Sequence, residues 1–241
     1  MQYSSISDIG LLREKNQDSL LTITNQYGDF LAIVADGIGG GLAGEVASSE
    51  IVNYFEKNFK ESGKFTDLQC VIDYLKLHIS LANKTVYTLA KKNPEYKGMG
   101  STLTGILICE FGVVSFNCGD SRVYGLLDNK IFHLTVDHTL VNQMLENNEI
   151  TLEEAVNHPK KHYLVKAIGI IKDIEADIHK VKDLQYYLIC SDGLHNLVNE
   201  EEIVSIVYDS SLTLDEKVEE LKNKALLAGG YDNITIILVE R

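Results

Sequence analysis

The chain has 241 residues, 45% of them hydrophobic and 24% charged, a composition typical of globular proteins and unlike that of disordered ones. Its 35 acidic residues outnumber its 22 basic residues, giving a formal net charge of −13. This acidity excludes generic binding to nucleic acid, whose phosphates the surface would repel. The N-terminus has no basic start followed by an apolar stretch, and the apolar runs are too short to span a bilayer. We therefore expect a cytoplasmic protein that does not bind membranes.

The first half of the chain predicts one strand and two long helices. The apolar run Phe30–Ala35 is typical of a buried strand. Ala43–Phe59 and Asp67–Lys91 each place apolar residues along a single stripe at helical spacing. Pro94 marks the end of the second helix, because proline cannot continue it.

The second half predicts mostly strands. Four short runs rich in β-branched residues follow one another closely: Thr102–Cys109, Val113–Asn117, Val123–Leu127 and Lys130–Leu134. The remaining elements are a strand, a helix and a last strand: Tyr186–Cys190, Leu214–Leu227 and Ile234–Val239. Residues 142–171 are the least regular part, mixing a short helical pattern with a basic, histidine-containing stretch.

Closely spaced strands joined by turns predict hairpins and antiparallel pairing, and the helices come before and after them. The order of elements therefore predicts an α+β protein with a β-sandwich inside and helices outside, built as one domain over residues 1–241. The four cysteines form no CxxC pair, so we expect no zinc ribbon and interpret them as buried, reduced thiols.

Four aspartates stand at the ends of apolar segments, each beside Gly, Ser or Asn: Asp36, Asp120, Asp192 and Asp232. Singly, each is explained by turn chemistry. Together, they can place several carboxylates at the rim of a sheet, where their mutual repulsion calls for a cation. Oxygen ligands of this kind favour Mg²⁺ or Mn²⁺.

An arginine and a further acid precede this set. Arg13 lies in the segment SDIGLLREKNQDS, shortly before Asp18. Taken alone, Arg13 is interpreted as an ordinary surface residue. Beside hard metal ions, however, a guanidinium is the usual partner of phosphate, because its planar fork grips two oxygens.

Seven segments in order make the chain similar to the metal-dependent protein phosphatases, or type 2C serine/threonine phosphatases, in their compact bacterial form. They are DIGLLREKNQD (Asp8–Asp18), VADGIGGGLAGEVAS (Val34–Ser48), GMGSTL (Gly98–Leu103), NCGDSRVY (Asn117–Tyr124), LTVDHTLV (Leu134–Val141), LICSDGL (Leu188–Leu194) and GGYDNITIILV (Gly229–Val239). The resemblance spans almost the whole chain. It implies a central sandwich of two antiparallel sheets with helices on both outer faces.

The resemblance also implies roles for the residues. Asp36 would bridge two Mn²⁺ or Mg²⁺ ions, with the Gly37 carbonyl as a further ligand. Asp192 and Asp232 would complete the opposite metal, and Asp120 would join Asp192 at a third, weaker site. Asp18 would order metal-bound water, and Arg13 would hold the substrate phosphate. Asn233 would support the ligand loop.

The implied reaction is hydrolysis of phosphoserine and phosphothreonine in proteins by a metal-activated water, opposing a serine/threonine kinase. Such kinases and their targets are the implied partners, and we expect a monomer. We interpret Cys190 as a buried strand residue, so no cysteine nucleophile is invoked.

Several positions depart from the family pattern. Ile38 stands where animal members often carry His, so the general acid is not named; His138 and His195 are alternatives, although a lone His is more often structural. Gly41 replaces a commonly polar residue. The flap over residues 142–171 has lysines, Lys161 and Lys166, where bacterial relatives often have arginines.

Two other functions fit the sequence less well. Gly39, Gly41 and Gly44 match the dinucleotide-binding pattern GxGxxG, but Asp36 and the lack of repeated βαβ units argue against it. A non-catalytic phosphoprotein-binding relative would be expected to have lost metal ligands, whereas this chain retains them.

Overall fold

Two antiparallel β-sheets lie face to face in this computed structural model, which describes residues 1–39 and 43–241. The strands are β1 (Gln2–Asp8), β2 (Asp18–Thr24), β3 (Phe30–Ile38), β4 (Gly100–Ser101), β5 (Leu103–Cys109), β6 (Gly112–Cys118), β7 (Arg122–Leu127), β8 (Lys130–His133), β9 (Asp177–Val181), β10 (Tyr186–Cys190) and β11 (Ile234–Glu240). One sheet has the order β1-β11-β10-β7-β8. The other has the order β2-β3-β5-β6-β9, with β4 also paired to β3.

Helices pack on the outer face of each sheet: α1 and α2 on one, α6 and α7 on the other. The described helices are α1 (Ala43–Lys60), α2 (Leu68–Lys92), α3 (Leu140–Glu146), α4 (Leu152–Val156), α5 (Asp192–His195), α6 (Glu200–Val207) and α7 (Leu214–Leu227). The side chain of Asp67 caps α2 by accepting from the backbone N–H of Cys70. The helix ends at Lys92, just before Pro94, as predicted.

Side-chain alternation along the strands builds three apolar layers. In β3, Phe30, Ala32 and Val34 face the opposite sheet, whereas Leu31 and Ile33 face α1 and α2. The outer face of the other sheet packs against α6 and α7. Because both faces of the central strands are buried, their sequences are continuously apolar. The predicted α+β sandwich with helices on both outer faces is confirmed.

The predicted strands and long helices are confirmed, with ends that shift by a few residues. Of the strands in the described residues, the sequence interpretation missed four: the two-residue β4, and β1, β2 and β9, which are rich in Ser, Thr and charged residues. β1 pairs with β11 at the other end of the chain, so nothing in its local sequence indicates the partner. Tertiary pairing overrides weak local propensity here.

The cysteine interpretation needs one correction. Cys109, Cys118 and Cys190 are buried thiols, but Cys70 is exposed in the first turn of α2, whose buried stripe begins at the next residue, Val71. Burial raises the pKa of Cys190 to about 12, so its thiolate is suppressed. No helix in the described ranges has both the length and the apolar content needed to cross a membrane.

The irregular segment predicted for residues 142–171 forms α3, α4 and a return strand-like stretch. Its two arms are tied together by the Leu140 N–H donating to the Tyr163 carbonyl and the Val165 N–H donating to the His138 carbonyl. The return passes α2, where the buried Asn83 hydrogen bonds three backbone groups between residues 169 and 172. The C-terminal end of the segment is thus held against α2 by Asn83.

Candidate active site

The site begins where β2 and β3 pair. Asp18 lies directly opposite Asp36 in the antiparallel register, which places their side chains on the same face of the sheet. The backbone N–H of Asp36 donates to the Thr102 hydroxyl at 2.9 Å, fixing the end of β3. Asp18 is buried, and its Oδ2 accepts a 2.7 Å hydrogen bond from the Ser191 hydroxyl.

The second sheet brings two more aspartates to the same place. β10 and β11 are antiparallel neighbours, so the end of β10 lies beside the start of β11, and the Ser191 N–H donates to the Thr235 carbonyl. Asp192 follows β10, and Asp232 precedes β11 by two residues. The Ser191–Asp18 hydrogen bond joins the two sheets at this edge.

The carboxylates of Asp18, Asp36, Asp120, Asp192 and Asp232 lie close enough to affect one another's pKa values, so they form one acidic cluster. The pKa of Asp36 is raised well above its usual range, first by burial and then by the charges of Asp18, Asp192, Asp120 and Asp232. The pKa of Asp192 is raised in the same way, by burial and then by Asp120 and Asp232. Burial is also the main cause that raises the pKa of Asp18 and of Asp120 to about 6. The four strand-end aspartates singled out in the sequence therefore lie together in the fold, beside Asp18.

The oxygen atoms of the cluster fit a cation. Oδ1 of Asp18 and Oδ1 of Asp192 are buried and have no hydrogen-bond partner in the described part of the chain. A buried carboxylate oxygen without a donor is unfavourable unless a positive charge compensates it. Within residues 1–39 and 43–241, no three His, Cys, Asp or Glu side chains form a ready-made metal cluster. A bound ion would therefore also use a backbone oxygen or water.

Gly37 lies immediately after Asp36 in a tightly packed backbone. A β-carbon on Gly37 would meet the Gly44 carbonyl oxygen at 2.2 Å and that of Gln17 at 2.6 Å, so only glycine fits. The contacts place the Gly37 carbonyl oxygen beside Gly44, at the start of α1. Ile38, which stands where animal members of the family often carry His, is half-buried. Gly41, which the sequence analysis singled out, lies outside the described residues.

Arg13 enters the site from the loop between β1 and β2. Its Nη2 donates to Oδ2 of Asp232 at 2.6 Å. Asn233 fixes this loop: its Oδ1 accepts from the Gln17 N–H at 2.8 Å, and its Nδ2 donates to the carbonyls of Ile9 and Lys15 at 2.9 and 3.0 Å. We call residues 9–17, between β1 and β2, the arginine loop. Asn233 therefore holds both ends of this loop at the start of β11.

A cleft of about 460 Å³ opens over the cluster. Its polar and charged lining consists of Arg13, Lys161, His162, Asp192, Asn196 and Asp232. Four cationic or hydrogen-bonding groups thus share the cleft with two carboxylates, an arrangement suited to an anion held beside metal ions. A larger cavity of about 630 Å³ lies against α2 near Lys76, but none of the clustered aspartates lines it.

The two flap lysines have different positions. Lys161 lines the cleft, whereas Lys166 forms a 2.9 Å ion pair with Asp177 on β9 and is therefore a structural residue. Asp177 also accepts from Nε2 of His138, whose Nδ1 accepts from the Gly119 N–H. Burial, followed by the Lys166 charge, lowers the pKa of His138, so this imidazole is neutral.

His195 is also held in a structural position. Its Nε2 donates to the backbone oxygen of Asp120 at 2.9 Å. Burial lowers the pKa of His195 to about 3, so the ring is neutral at pH 7 and its Nε2 proton is held by the Asp120 carbonyl. Asp120 itself is buried close to Arg122, which holds Asp137 by two nitrogens.

Sequence reasoning missed several residues of the site. Ser191 lies inside the segment LICSDGL, but its hydroxyl bond to Asp18 depends on the meeting of two sheets. Asn196 holds Oδ2 of Asp192 at 3.1 Å one helical turn later, a spacing that could have been noticed. His162 and Tyr231 line the cleft from the flap and from the loop before β11. Both stand next to residues that the sequence analysis had named.

Comparison with known proteins gives the family. Residues 13–227 match the protein phosphatase 2C family model. The chain is 38% identical to serine/threonine phosphatase stp of Listeria welshimeri over 98% of this chain and 94% of that protein. It is similar to the crystal structure of Stp1 from Staphylococcus aureus, with a TM-score of 0.93, 33% identity, and coverage of 100% and 94%.

A further similar structure contains a ligand. The PPM Ser-Thr phosphatase MsPP from Mycobacterium smegmatis, in complex with cacodylate, has a TM-score of 0.83 and 29% identity, with coverage of 100% of this chain and 98% of that one. These similarities extend over 98–100% of this chain. The chain therefore belongs to the protein phosphatase 2C family of metal-dependent serine/threonine phosphatases.

Proposed function

We propose that the acidic cluster binds Mn²⁺ or Mg²⁺ and that Arg13 holds the phosphoryl group of a phosphoserine or phosphothreonine protein beside it. The observation that carries this proposal is the convergence of Asp18, Asp36, Asp192 and Asp232, with buried carboxylate oxygens that no donor among residues 1–39 and 43–241 satisfies. An all-oxygen donor set matches these hard cations.

The proposed ligands differ in how free their oxygens are. Asp36 and the Gly37 carbonyl would hold the paired ions. Asp192 would offer Oδ1, since Oδ2 accepts from Asn196. Asp232 would offer Oδ2, which Arg13 holds in this structure, because Oδ1 accepts the Asn233 N–H at 2.9 Å. Asp120, with Asp192, would hold a third, weaker ion.

Ions bound there supply an activated water and neutralise phosphoryl oxygens during hydrolysis. The chain's own residues position the reactants. Asp18, fixed by Ser191, directs an acceptor oxygen into the cluster for water. Arg13 presents a planar pair of donors to the phosphoryl oxygens, and Lys161 adds positive charge from the flap side of the cleft.

Two histidines are poor candidates for the proton that the leaving serine or threonine oxygen requires. His138 and His195 are both neutral, since burial lowers the pKa of each. Ile38 has no proton to give. We therefore assign the leaving-group proton to water in the cleft rather than to a side chain. The cacodylate bound by the Mycobacterium smegmatis relative, a tetrahedral oxyanion, supports an oxyanion site in this fold.

Four finer points belong to the proposal. The enzyme opposes a serine/threonine kinase, the whole chain 1–241 is one catalytic domain, and it acts as a monomer. It works in the cytoplasm, which four free cysteines support because a reducing compartment keeps thiols unpaired. The net charge of −13 supports protein rather than nucleic-acid substrates.

Peptide hydrolysis after removal of metal tests the function. Phosphoserine, phosphothreonine and phosphotyrosine peptides of one sequence are incubated with the stripped protein, with and without Mn²⁺. We expect release of phosphate from the first two peptides only when metal is present. Metal-independent turnover, or folded protein that binds the peptides without cleaving them, would reject the proposal.

A further inference from the structure

Three large apolar side chains are exposed beside the candidate phosphate site. Leu11 is 63% exposed, Leu12 67% and Tyr231 58%. We call these three residues the apolar ridge. Single exposed apolar residues are common, but neighbouring ones at the edge of a functional cleft mark a binding surface.

The backbone under the ridge is fixed. The Leu11 N–H donates to the Gly230 carbonyl at 2.8 Å, so the arginine loop is joined to the segment that carries Tyr231. A β-carbon on Gly230 would lie 3.0 Å from Cγ of Leu11, which shows how closely the two backbones approach. With Asn233 holding the loop at Ile9 and Lys15, Leu11 and Leu12 project from a loop anchored at both ends. Little ordering would be needed when a partner binds.

The ridge is continuous with the cleft. Leu12 directly precedes Arg13, and Tyr231 directly precedes Asp232; Tyr231 is itself part of the cleft lining. An extended polypeptide advances about 3.3 Å per residue. A phosphoresidue held against Arg13 therefore brings its sequence neighbours over these side chains.

We propose that the apolar ridge is a substrate subsite that binds an apolar side chain next to the phosphoserine or phosphothreonine. This inference rests on the proposed function, in which Arg13 holds the phosphoryl group. The three ridge side chains are themselves uncharged, so a leucine or phenylalanine packed on them gains apolar contact area that a serine lacks. The enzyme would thus select among phosphoproteins by apolar flanking residues.

Paired phosphothreonine peptides test the subsite. One peptide carries leucine on both sides of the phosphothreonine, the other carries serine, and all other positions are identical. For the wild-type protein with Mn²⁺, we expect a kcat/KM ratio of about ten in favour of the leucine peptide, the usual value for a small apolar pocket. In Leu11→Ser/Leu12→Ser, the ratio should fall to about two or less. A ratio of two peptides cancels any general change in turnover.

Leu77→Ser is the matched control, because Leu77 is 57% exposed on α2, outside the cleft. This variant should keep the wild-type ratio. Equal hydrolysis of the two peptides by the wild type, or a preference that survives in the double variant, would overturn the subsite. A double variant that changes only the sedimentation of the protein would instead make the ridge a contact between two copies. Failure of both peptides in folded, metal-loaded wild type would reject the proposed function itself.

Discussion

Nη2 of Arg13 lies 2.6 Å from Oδ2 of Asp232, so the residue proposed to grip phosphate is paired with a residue proposed to bind metal. The two side chains are 49% and 34% exposed. An ion pair with that much solvent around it contributes about 0–1 kcal/mol, so a divalent cation can displace Arg13 at small cost. We therefore predict that metal binding and phosphate binding are coupled through Asp232.

Arg13→Ala should separate the two events. We expect KM for p-nitrophenyl phosphate to rise and kcat/KM to fall by about 10–100-fold, the loss of one or two charge-assisted hydrogen bonds. Mn²⁺ affinity should stay equal or become tighter, because Asp232 no longer has a competing cation. Steady-state kinetics and calorimetric Mn²⁺ titration measure the two effects.

Lys15→Ala is the control for Arg13→Ala, since it removes an exposed cation from the same loop. Its kinetics should match the wild type. A tenfold weaker Mn²⁺ affinity in Arg13→Ala would contradict the proposed competition, and unchanged kinetics would remove Arg13 from the site.

Asp36→Asn should stabilise the metal-free protein while abolishing its activity. The charge of Asp36 is unfavourable in the metal-free cluster, where burial and four aspartates raise its pKa. Replacing it by a neutral amide relieves that repulsion, and about 1 kcal/mol would raise Tm by about 2–4 °C. Differential scanning calorimetry in chelator measures the shift. A lower Tm in chelator would show that the carboxylates do not repel one another.

Asn233→Ala should lower both stability and substrate binding. The substitution removes three hydrogen bonds to backbone groups of the arginine loop, at about 0.5–1.5 kcal/mol each. Asn83→Ala is a close match, because Asn83 also makes three backbone hydrogen bonds but holds residues 169–172. Both variants should unfold at a lower urea concentration than the wild type. Only Asn233→Ala should weaken inhibition by inorganic phosphate; an equal effect in Asn83→Ala would argue against control of Arg13 by Asn233.

The sequence predicted the centre of the sandwich well because buried strands such as β3 and β10 are apolar on both faces. It did not predict β1, whose alternation QYSSISD is polar and whose partner β11 lies at the opposite end of the chain. Such strands are specified by their neighbours in space rather than by local propensity.

The same distinction applies to the site. Asp36, Asp192 and Asp232 were predictable because each sits in a recognisable strand-end motif. The hydrogen bond from Ser191 to Asp18 and the flanking position of Leu11 beside Gly230 were not, since each depends on how two distant segments pack. The difference between Lys161 in the cleft and Lys166 in an ion pair likewise required the fold.

His138 predicts a dependence of stability on pH. Its folded-state pKa is lowered below the ordinary 6.5 by burial and Lys166, although Asp177 opposes this. Below pH 6.5 the unfolded chain binds more protons than the folded chain, so this contribution to stability is complete above pH 6.5 and is lost as pH falls below it. Protonation also ends the acceptance of the Gly119 N–H.

His138→Asn keeps an acceptor for Gly119 but cannot titrate. The free energy of unfolding of this variant, from urea denaturation in chelator, should fall less steeply than that of wild type as the pH drops below 6.5. His179→Asn, at an exposed position, should follow the wild type. Parallel curves for wild type and His138→Asn would show that folding does not lower the pKa of His138.

The central claim is that the acidic cluster binds the metal ions on which hydrolysis depends. The most direct test titrates Mn²⁺ into metal-free wild type and Asp36→Asn by calorimetry and assays phosphothreonine-peptide hydrolysis on the same samples. We predict that wild type binds Mn²⁺ and gains activity in parallel, whereas Asp36→Asn binds more weakly and loses at least about 100-fold in rate. Equal Mn²⁺ binding and equal hydrolysis in the two proteins would contradict the assignment of this cluster as the metal centre.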